Sequence, residues 1–133
     1  MPEALLLVNM GGPADLKAVK PYLRAIFCDP AILPLPKMLR ALLAWLIASR
    51  RAGKVADRYR QIGGRSPLLG WTERLVQAIQ AAQDQGGERS IAHAYRYCEP
   101  TIETALLRLK AKGVERVDLM PLFPHYTEAM TGS

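Results

Sequence analysis

The sequence contains few of the residues from which metal centres and disulfide frameworks are built. Only two of its 133 residues are cysteines and only two are histidines. Cys28 and Cys98 stand far apart in the chain, in no zinc-ligand or redox spacing. We therefore interpret both cysteines as small buried residues of a protein in a reducing compartment.

Long apolar runs and nucleotide-binding motifs are also missing. The most apolar run, residues 38–48, is shorter than the roughly 20 residues of a membrane-spanning helix. Residues 5–8 are too few for a secretory signal and lack a basic region before them. Gly11-Gly12-Pro13 does not have the Gly-x-Gly-x-x-Gly spacing, and no Walker-type loop occurs, so a dinucleotide or P-loop site is not supported.

Basic residues outnumber acidic residues, and this imbalance indicates which kinds of partner the chain is expected to bind. The chain has 18 Lys and Arg against 12 Asp and Glu, a net charge of +6. Such a balance favours a carboxylated small molecule, a phosphate, a nucleic acid or an anionic membrane surface, without choosing among them. Half of the residues are hydrophobic, and the length suits one globular domain.

Strand-like and helix-like segments alternate along the chain. Buried-type strands are predicted over residues 4–9, 90–97 and 114–123, and helices over 15–27, 37–49, 50–62, 67–84 and 101–112, with a break available at Gly53. Strands of this kind, separated by helices, predict an α/β fold with a parallel sheet and right-handed crossovers. Because Thr131-Gly132-Ser133 resembles the opening of another helix, we expect a fragment or one half of a larger protein.

For two of the predicted helices, the pattern of apolar residues predicts which surfaces are buried. Helix 37–49 is apolar on almost every side, so it is either fully buried or exposes part of its apolar surface, and in a chain this small we favour partial exposure. Helix 67–84 is expected to direct one set of residues inward: Leu69, Leu75, Ala78, Ile79 and Ala82. Gln85-Gly86-Gly87 is predicted to end it.

The first candidate site is the stretch from Tyr59 to Pro67. Gly63 and Gly64 can adopt positive φ and admit a ligand close to the backbone, and Ser66 follows them. A basic segment leads into this bend: Arg50, Arg51, Lys54, Arg58 and Arg60. The combination suits an anionic ligand with a flat apolar body, although an ordinary turn after a solvated basic helix is the alternative.

The second candidate site is the edge of the sheet where the strands end, because ligands of open parallel sheets bind there. The residues that follow the three strands are Asn9-Met10-Gly11-Gly12, Arg96-Tyr97-Cys98 and Phe123-Pro124-His125-Tyr126. This edge therefore gathers a thioether, a guanidinium, an imidazole and two phenols.

Four ordered blocks of the sequence resemble the ferrochelatase family. They are Leu7-Val8-Asn9-Met10-Gly11-Gly12-Pro13, then Tyr59-Arg60-Gln61-Ile62-Gly63-Gly64-Arg65-Ser66-Pro67-Leu68 with Trp71-Thr72, then Tyr95-Arg96-Tyr97 with Pro100, and Pro121-Leu122-Phe123-Pro124-His125-Tyr126 with Thr131-Gly132-Ser133. The resemblance implies one Rossmann-like, chelatase-type half of a two-domain enzyme that inserts ferrous iron into a carboxylated porphyrin. The chain matches the N-terminal half only, as a single domain over residues 1–133. The catalytic histidine and acidic residues of the second half are absent, so we expect the chain alone to lack full activity.

The resemblance also implies roles for individual residues. Met10 corresponds to a position that faces the macrocycle and the metal, with core packing as the alternative. Arg50 and Arg51 correspond to a basic pair that binds propionates, with a solvated surface residue as the alternative for Arg50. The other implied substrate-binding residues are Arg58, Tyr59, Ser66, whose hydroxyl binds a propionate, and Arg96 and Tyr97 near the cleft floor. Arg96 could instead be a buried arginine that binds carbonyls at a strand end.

No catalytic residue is assigned firmly. His125 could relay a proton, but relatives vary between Gln and His at this position, which favours a supporting hydrogen-bonding role. His93 is interpreted as a core histidine. Ferrous iron is expected as a substrate and no tightly bound cofactor is expected, because two cysteines cannot supply the four thiolates of an iron–sulfur cluster.

The expected partners are a porphyrin, the missing C-terminal half, a membrane surface contacted by the helix from Met38 to Ser49, and a second copy of the chain. Nucleic acid is not expected, because the aromatic residues are not interleaved with Lys and Arg. We expect a cytoplasmic protein or a peripheral protein of the inner membrane. Two alternatives stay open: a stand-alone, non-catalytic porphyrin- or haem-binding module, and a chelatase for cobalt or nickel and another tetrapyrrole.

Overall fold

The computed structural model describes residues 2–83, 89–123 and 125–132. Its elements, in order, are β1 (Glu3–Asn9), α1 (Val19–Phe27), α2 (Lys37–Arg60), α3 (Pro67–Gln83), β2 (Ser90–Tyr95), α4 (Ile102–Ala111) and β3 (Arg116–Pro121). Contacts divide the chain into two compact units: unit 1 comprises Met1–Gly11 and Leu68–Pro124, and unit 2 comprises Gly12–Pro67 and His125–Ser133.

The sheet of unit 1 is parallel, as the sequence predicts. Its strand order is β2-β1-β3, and both neighbours run parallel to β1. The central strand is the most buried, with Leu6 and Leu7 at 0% exposure. Leu6 packs in a core cluster with Val8, Ala94 and Ala105 of α4. The continuous apolar run of β1 is thus explained by burial on both faces of the sheet.

Helix α4 begins and ends where its sequence signals lie. The hydroxyl of Thr101 accepts a hydrogen bond from the backbone N–H of Thr104 at 3.1 Å, which satisfies a donor of the first turn. At the other end, the N–H of Gly113 donates to the carbonyl of Lys110 at 2.9 Å. The predicted helix over residues 101–112 is therefore confirmed to within its end residues.

Helix α3 begins at Pro67 as predicted, but its predicted inward face is correct only in part. Leu69 is buried and Ile79 is half-buried, whereas Leu75 is 40% exposed and both Ala78 and Ala82 are exposed. Thr72 is also buried, and its hydroxyl donates to the carbonyl of Leu68 in the same helix, 2.7 Å away. Apolar residues occupy more than one face of this helix, so hydrophobicity alone does not identify which residues are buried. The predicted end at residues 84–87 lies outside the described residues.

In unit 2, α1 begins later than the sequence indicates. The carboxylate of Asp15 accepts a hydrogen bond from the N–H of Ala18 at 2.8 Å, which closes a turn before the helix starts at Val19. α1 packs against α2, and a short connection joins them. Arg40 anchors that connection, because its side chain donates to the carbonyls of Cys28 at 2.8 Å and Leu35 at 2.6 Å.

Helix α2 is continuous over 24 residues, so the predicted helices 37–49 and 50–62 are one helix and the break that was possible at Gly53 does not occur. Gly53 is exposed, and a Cβ placed there would have no atom within 4 Å. The hydrogen bonds of the neighbouring turns hold the helix through this position, because a single glycine weakens a helix by only about 1 kcal/mol. The expected partial exposure of the apolar half is confirmed: Ala44 and Ala48 are buried, but Met38 is 88% exposed and Leu42 60%.

The described helices do not meet the requirements of a bilayer span. None of them combines the necessary length with sufficient apolar character.

Gly53→Ala should raise the free energy of unfolding by about 0.5–1 kcal/mol, because alanine restricts the unfolded chain and favours the helix. The matched control is Gly63→Ala. Gly63 also has open space around its Cα, but its φ is +98°. An alanine there is strained and should lower the free energy of unfolding by about 1 kcal/mol. Urea denaturation measures both, and shifts in the same direction would contradict this account.

Candidate functional site

The backbone brings three predicted site residues together in unit 1, beyond the ends of β1 and β2. The N–H of Arg96 donates to the carbonyl of Asn9 at 2.9 Å, and the N–H of Tyr97 donates to the carbonyl of Met10 at 3.2 Å. The two chain segments therefore continue side by side after the strands end. Met10 lies next to Arg96 and Tyr97 at the sheet edge where ligands of parallel sheets bind.

These three side chains differ in exposure. Tyr97 is buried, whereas Met10 and Arg96 are half-buried. The guanidinium carbon of Arg96 lies 5.3 Å from the centre of the Tyr97 ring, within the range of a cation–π contact. The edge thus presents a thioether and a cation supported by an aromatic ring, which suits a flat apolar ligand that carries negative charge.

Asn9 fixes this edge, and the sequence analysis treated it only as a strand end. Its side-chain amide donates to the hydroxyl of Thr72 at 3.0 Å, and its side-chain carbonyl accepts from the N–H of Gly11 at 2.8 Å. Asn9 and Thr72 are both buried. An asparagine between an apolar run and a glycine pair is typical of a side chain that closes a turn, and this signal could have identified it.

The bend after α2 has the conformation that its glycines predict. Gly63 and Gly64 have φ values of +98° and +78°. The N–H of Gly64 donates to the carbonyl of Tyr59 at 2.7 Å, so the bend is closed by a backbone hydrogen bond. Ser66 is 6% exposed, and its N–H donates to the carbonyl of Pro13 at 2.9 Å. The structure therefore holds Ser66 against the segment that follows Gly11 and Gly12 in the chain.

The basic residues of α2 form an exposed stripe. Arg51, Lys54 and Arg58 are spaced so that they share one face of the helix, and all are exposed, as is Arg50. Arg60 forms an ion pair with Asp57. In the described part of the chain, no acidic side chain pairs with Arg50, Arg51 or Arg58. These three guanidinium groups are open to an anionic ligand, and Tyr59 beside them is half-buried.

The two histidines have different surroundings. His125 is exposed in unit 2. His93 is half-buried in β2 of unit 1, and its ring centre lies 5.3 Å from that of Tyr95. Burial lowers the pKa of His93 from its ordinary 6.5, and the carboxylate of Glu73 opposes this effect in part. The two cysteines are half-buried, not fully buried as interpreted from the sequence.

The lowered pKa of His93 predicts a loss of stability in acid. Below pH 6.5 the unfolded chain binds a proton at this position more readily than the folded chain does. The free energy of unfolding should therefore fall as the pH decreases from 6.5 through the folded pKa. Denaturation at several pH values measures this slope, which should be reduced in His93→Gln. An unchanged slope in His93→Gln would contradict the assignment.

No arrangement of described residues assembles three or more His, Cys, Asp or Glu side chains around a position for a metal ion.

A comparison with protein-family models decides the family. The model described as Ferrochelatase matches residues 2–133. The chain belongs to the ferrochelatase family. The resemblance seen in the sequence is thereby confirmed, together with the α/β fold class.

Curated ferrochelatases agree with this assignment over the whole chain. The ferrochelatase of Desulfotalea psychrophila is 44% identical over 134 residues, which cover 100% of this chain and 42% of the relative. That of Geotalea uraniireducens is 42% identical over 136 residues, with coverages of 100% and 42%. That of Synechococcus sp. strain CC9311 is 40% identical over 131 residues, with coverages of 97% and 34%. The chain thus spans about two fifths or less of the length of these curated ferrochelatases.

Proposed function

We propose that this chain is the N-terminal, porphyrin-binding half of a ferrochelatase that inserts ferrous iron into a carboxylated porphyrin in haem biosynthesis. The family match over residues 2–133 supports the proposal most directly. Because the chain spans only 42% of its relative from Desulfotalea psychrophila, we also propose that it lacks catalytic activity by itself. Pyrrole deprotonation and metal handling are then functions of the C-terminal half of the ferrochelatase.

The exposed stripe of α2 is the proposed binding site for the propionates. Arg50, Arg51 and Arg58 are exposed, and none pairs with a described acidic residue. A guanidinium can bind a carboxylate through two parallel hydrogen bonds, and both charges strengthen them. The role of these residues is to hold the acidic edge of the porphyrin.

The bend after α2 supplies neutral hydrogen-bonding groups beside that stripe. The backbone of Ser66 is held by its hydrogen bond to the carbonyl of Pro13. Less conformational entropy is therefore lost when the Ser66 hydroxyl binds a carboxylate. Tyr59, half-buried at the start of the bend, contributes a phenol. Gly63 and Gly64 adopt positive φ and have no Cβ atoms, so a ligand can approach the backbone of the bend closely.

The strand-end residues of unit 1 are proposed to contact the macrocycle. A thioether is soft and a poor ligand for hard ferrous iron, but it packs well on a π face, so Met10 contacts the ring rather than holding the metal. Arg96 and Tyr97, joined by their cation–π contact, complete that surface. Iron enters as a substrate, with no resident cofactor. His125 is exposed and is assigned a supporting hydrogen-bonding role.

The proposed macromolecular partners are the C-terminal half, a second copy of the chain and a membrane surface. The surface contact is carried by the exposed apolar residues at the beginning of α2, Met38, Leu42 and Trp45, with Lys37 exposed beside them. Arg40 does not contribute a charge to this surface, because its side chain binds the carbonyls of Cys28 and Leu35. The proposed location is the cytoplasm or the cytoplasmic face of the inner membrane.

A titration of the chain with a dicarboxylate porphyrin, followed by the Soret band of the porphyrin, tests the proposed propionate-binding site of α2 and the bend that follows it. Arg51→Ala and Ser66→Ala should each weaken binding by about tenfold or more, because each removes a hydrogen bond to a charged group. Arg60→Ala is the matched control, since Arg60 lies on the same helix but pairs with Asp57. An equal loss in the control would indicate unspecific attraction to a basic helix. Iron-dependent loss of porphyrin fluorescence with the chain alone would contradict the proposed inactivity.

A further inference from the structure

Unit 2 contains a groove between α1 and α2 that the proposed porphyrin site does not use. It has a volume of about 490 Å³, within the range of small-molecule sites. Its lining residues are Lys20, Pro21, Arg24, Ala25, Cys28 and Trp45. None of the lining residues on α1 has a role in the proposed grip, and Trp45 also belongs to the apolar surface of α2.

The shape of the groove follows from the sequence of α1. Pro21, Ala25 and Cys28 lie one above another on one side of the helix, because residues three and four apart share a face. All three side chains are small, so they leave a concave apolar floor. Trp45 of α2, which is 48% exposed, forms the opposite wall. Such a channel fits a single hydrocarbon chain better than a compact polar ligand.

Two cations stand at the rim of this apolar floor. Lys20 and Arg24 are exposed and one helical turn apart. Among the described residues, no acidic side chain forms an ion pair with either of them. The acidic residues that flank α1 serve its connections: Asp15 accepts from the N–H of Ala18, and buried Asp29 accepts from the N–H of Ala31.

The helix dipole does not favour a cation at the position of Lys20. Lys20 lies in the first turn of α1, which contains no acidic residue, and a cation there opposes the helix dipole. Arg24 in the last turn is favoured by the dipole, so its presence alone would need no ligand. An anion between the two side chains would interact favourably with both cations.

We propose that the α1–α2 groove binds an anionic amphiphile with one hydrocarbon chain. The chain lies along Pro21, Ala25 and Cys28 against the ring of Trp45, and the carboxylate or phosphate at its end binds Lys20 and Arg24. Free fatty acids and anionic membrane lipids share this chemistry. The binding site is separate from the porphyrin grip on the basic stripe of α2.

The test uses the fluorescence of Trp45 in the whole chain, with Trp71→Phe to remove the other tryptophan. Titration with decanoate should give a saturable blue shift, and 1-decanol, which lacks the charge, should bind at least tenfold more weakly. Lys20→Gln with Arg24→Gln should weaken decanoate binding at least tenfold, and Ala25→Leu should abolish it by filling the floor. Lys17→Gln is the matched control, because Lys17 is exposed on the same segment but does not line the groove.

Vesicles distinguish the two sources of the ligand. Phosphatidylglycerol vesicles that bind the chain in a manner sensitive to the Lys20 and Arg24 substitutions indicate a membrane lipid, and decanoate binding without vesicle binding indicates a free amphiphile. Equal binding of decanoate and decanol, or no saturable shift with either decanoate or vesicles, would overturn the proposal. Competition between decanoate and porphyrin would contradict the claim that the α1–α2 groove and the porphyrin site are separate. Porphyrin binding itself, measured by the Soret band, should be unchanged in the Lys20 and Arg24 variant.

Discussion

Gly11→Ala should lower the free energy of unfolding by about 3 kcal/mol. Gly11 has a φ of +80°, and a Cβ at this position would lie 2.4 Å from the sulfur of Cys98 and 2.8 Å from the Cβ of Tyr95. The left-handed conformation costs an alanine about 1–2 kcal/mol, and overpacking adds about 1–3 kcal/mol. Both penalties act at the point where β1 ends and the proposed ring-contacting residues begin.

A second substitution separates the two penalties at Gly11. Cys98→Ala removes the sulfur, but the Cβ of Tyr95 and the positive φ remain, so the double variant should regain only a small part of the loss. Chemical denaturation with an unchanged m-value measures the effect. A loss below about 1 kcal/mol in Gly11→Ala, or full recovery in the double variant, would contradict the close packing inferred here.

Gly12→Ala should lower the free energy of unfolding by about 2 kcal/mol, for a different reason. Gly12 is not among the residues with positive φ, so an alanine can adopt its backbone conformation. The added Cβ would instead lie 2.3 Å from the Cβ of Ser66 and 2.4 Å from its Oγ. Ser66 is buried and its backbone is bonded to Pro13, so it cannot move away without a cost.

Ser66→Gly should rescue Gly12→Ala. The substitution removes both atoms that the new Cβ would meet, and the Cα of residue 66 would remain at an ordinary 3.8 Å. The double variant should therefore be about as stable as Ser66→Gly alone, with a coupling energy of about 2 kcal/mol in the double-mutant cycle. Additive losses would show that Gly12 and Ser66 are not in contact. The rescue expected at Gly12 and its failure at Gly11 distinguish crowding from backbone strain.

The sequence predicts the order of elements and the parallel sheet, because the apolar run of β1 and the capping residues Thr101 and Gly113 are local signals. It predicts α2 and α3 less well. A glycine inside a helix is a weak breaker, and the packing of the neighbouring turns carries α2 through Gly53. In α3, apolar residues on more than one face made the buried face ambiguous. Leu75 was expected to be buried but is exposed, whereas Thr72, whose hydroxyl forms a hydrogen bond, is buried.

In the candidate site, too, some features follow from the local sequence and others depend on tertiary packing. The positive φ of Gly63 and Gly64 follows from their residue type, and the proximity of Met10 to Arg96 and Tyr97 follows from the pairing of β1 with β2. The contact of Ser66 with Gly12 joins distant parts of the chain, as does the amide of Asn9 on Thr72. No periodicity or spacing reports such contacts, because they depend on tertiary packing.

The central claim is that this chain binds a porphyrin through its carboxylates. The most direct test is to titrate the chain with a dicarboxylate porphyrin and with its dimethyl ester, and to compare their Soret-band binding curves. We predict saturable binding of the acid and at least tenfold weaker binding of the ester, because esterification removes the charges that the α2 arginines bind. Equal affinity for both, or no saturable binding of the acid, would contradict the account.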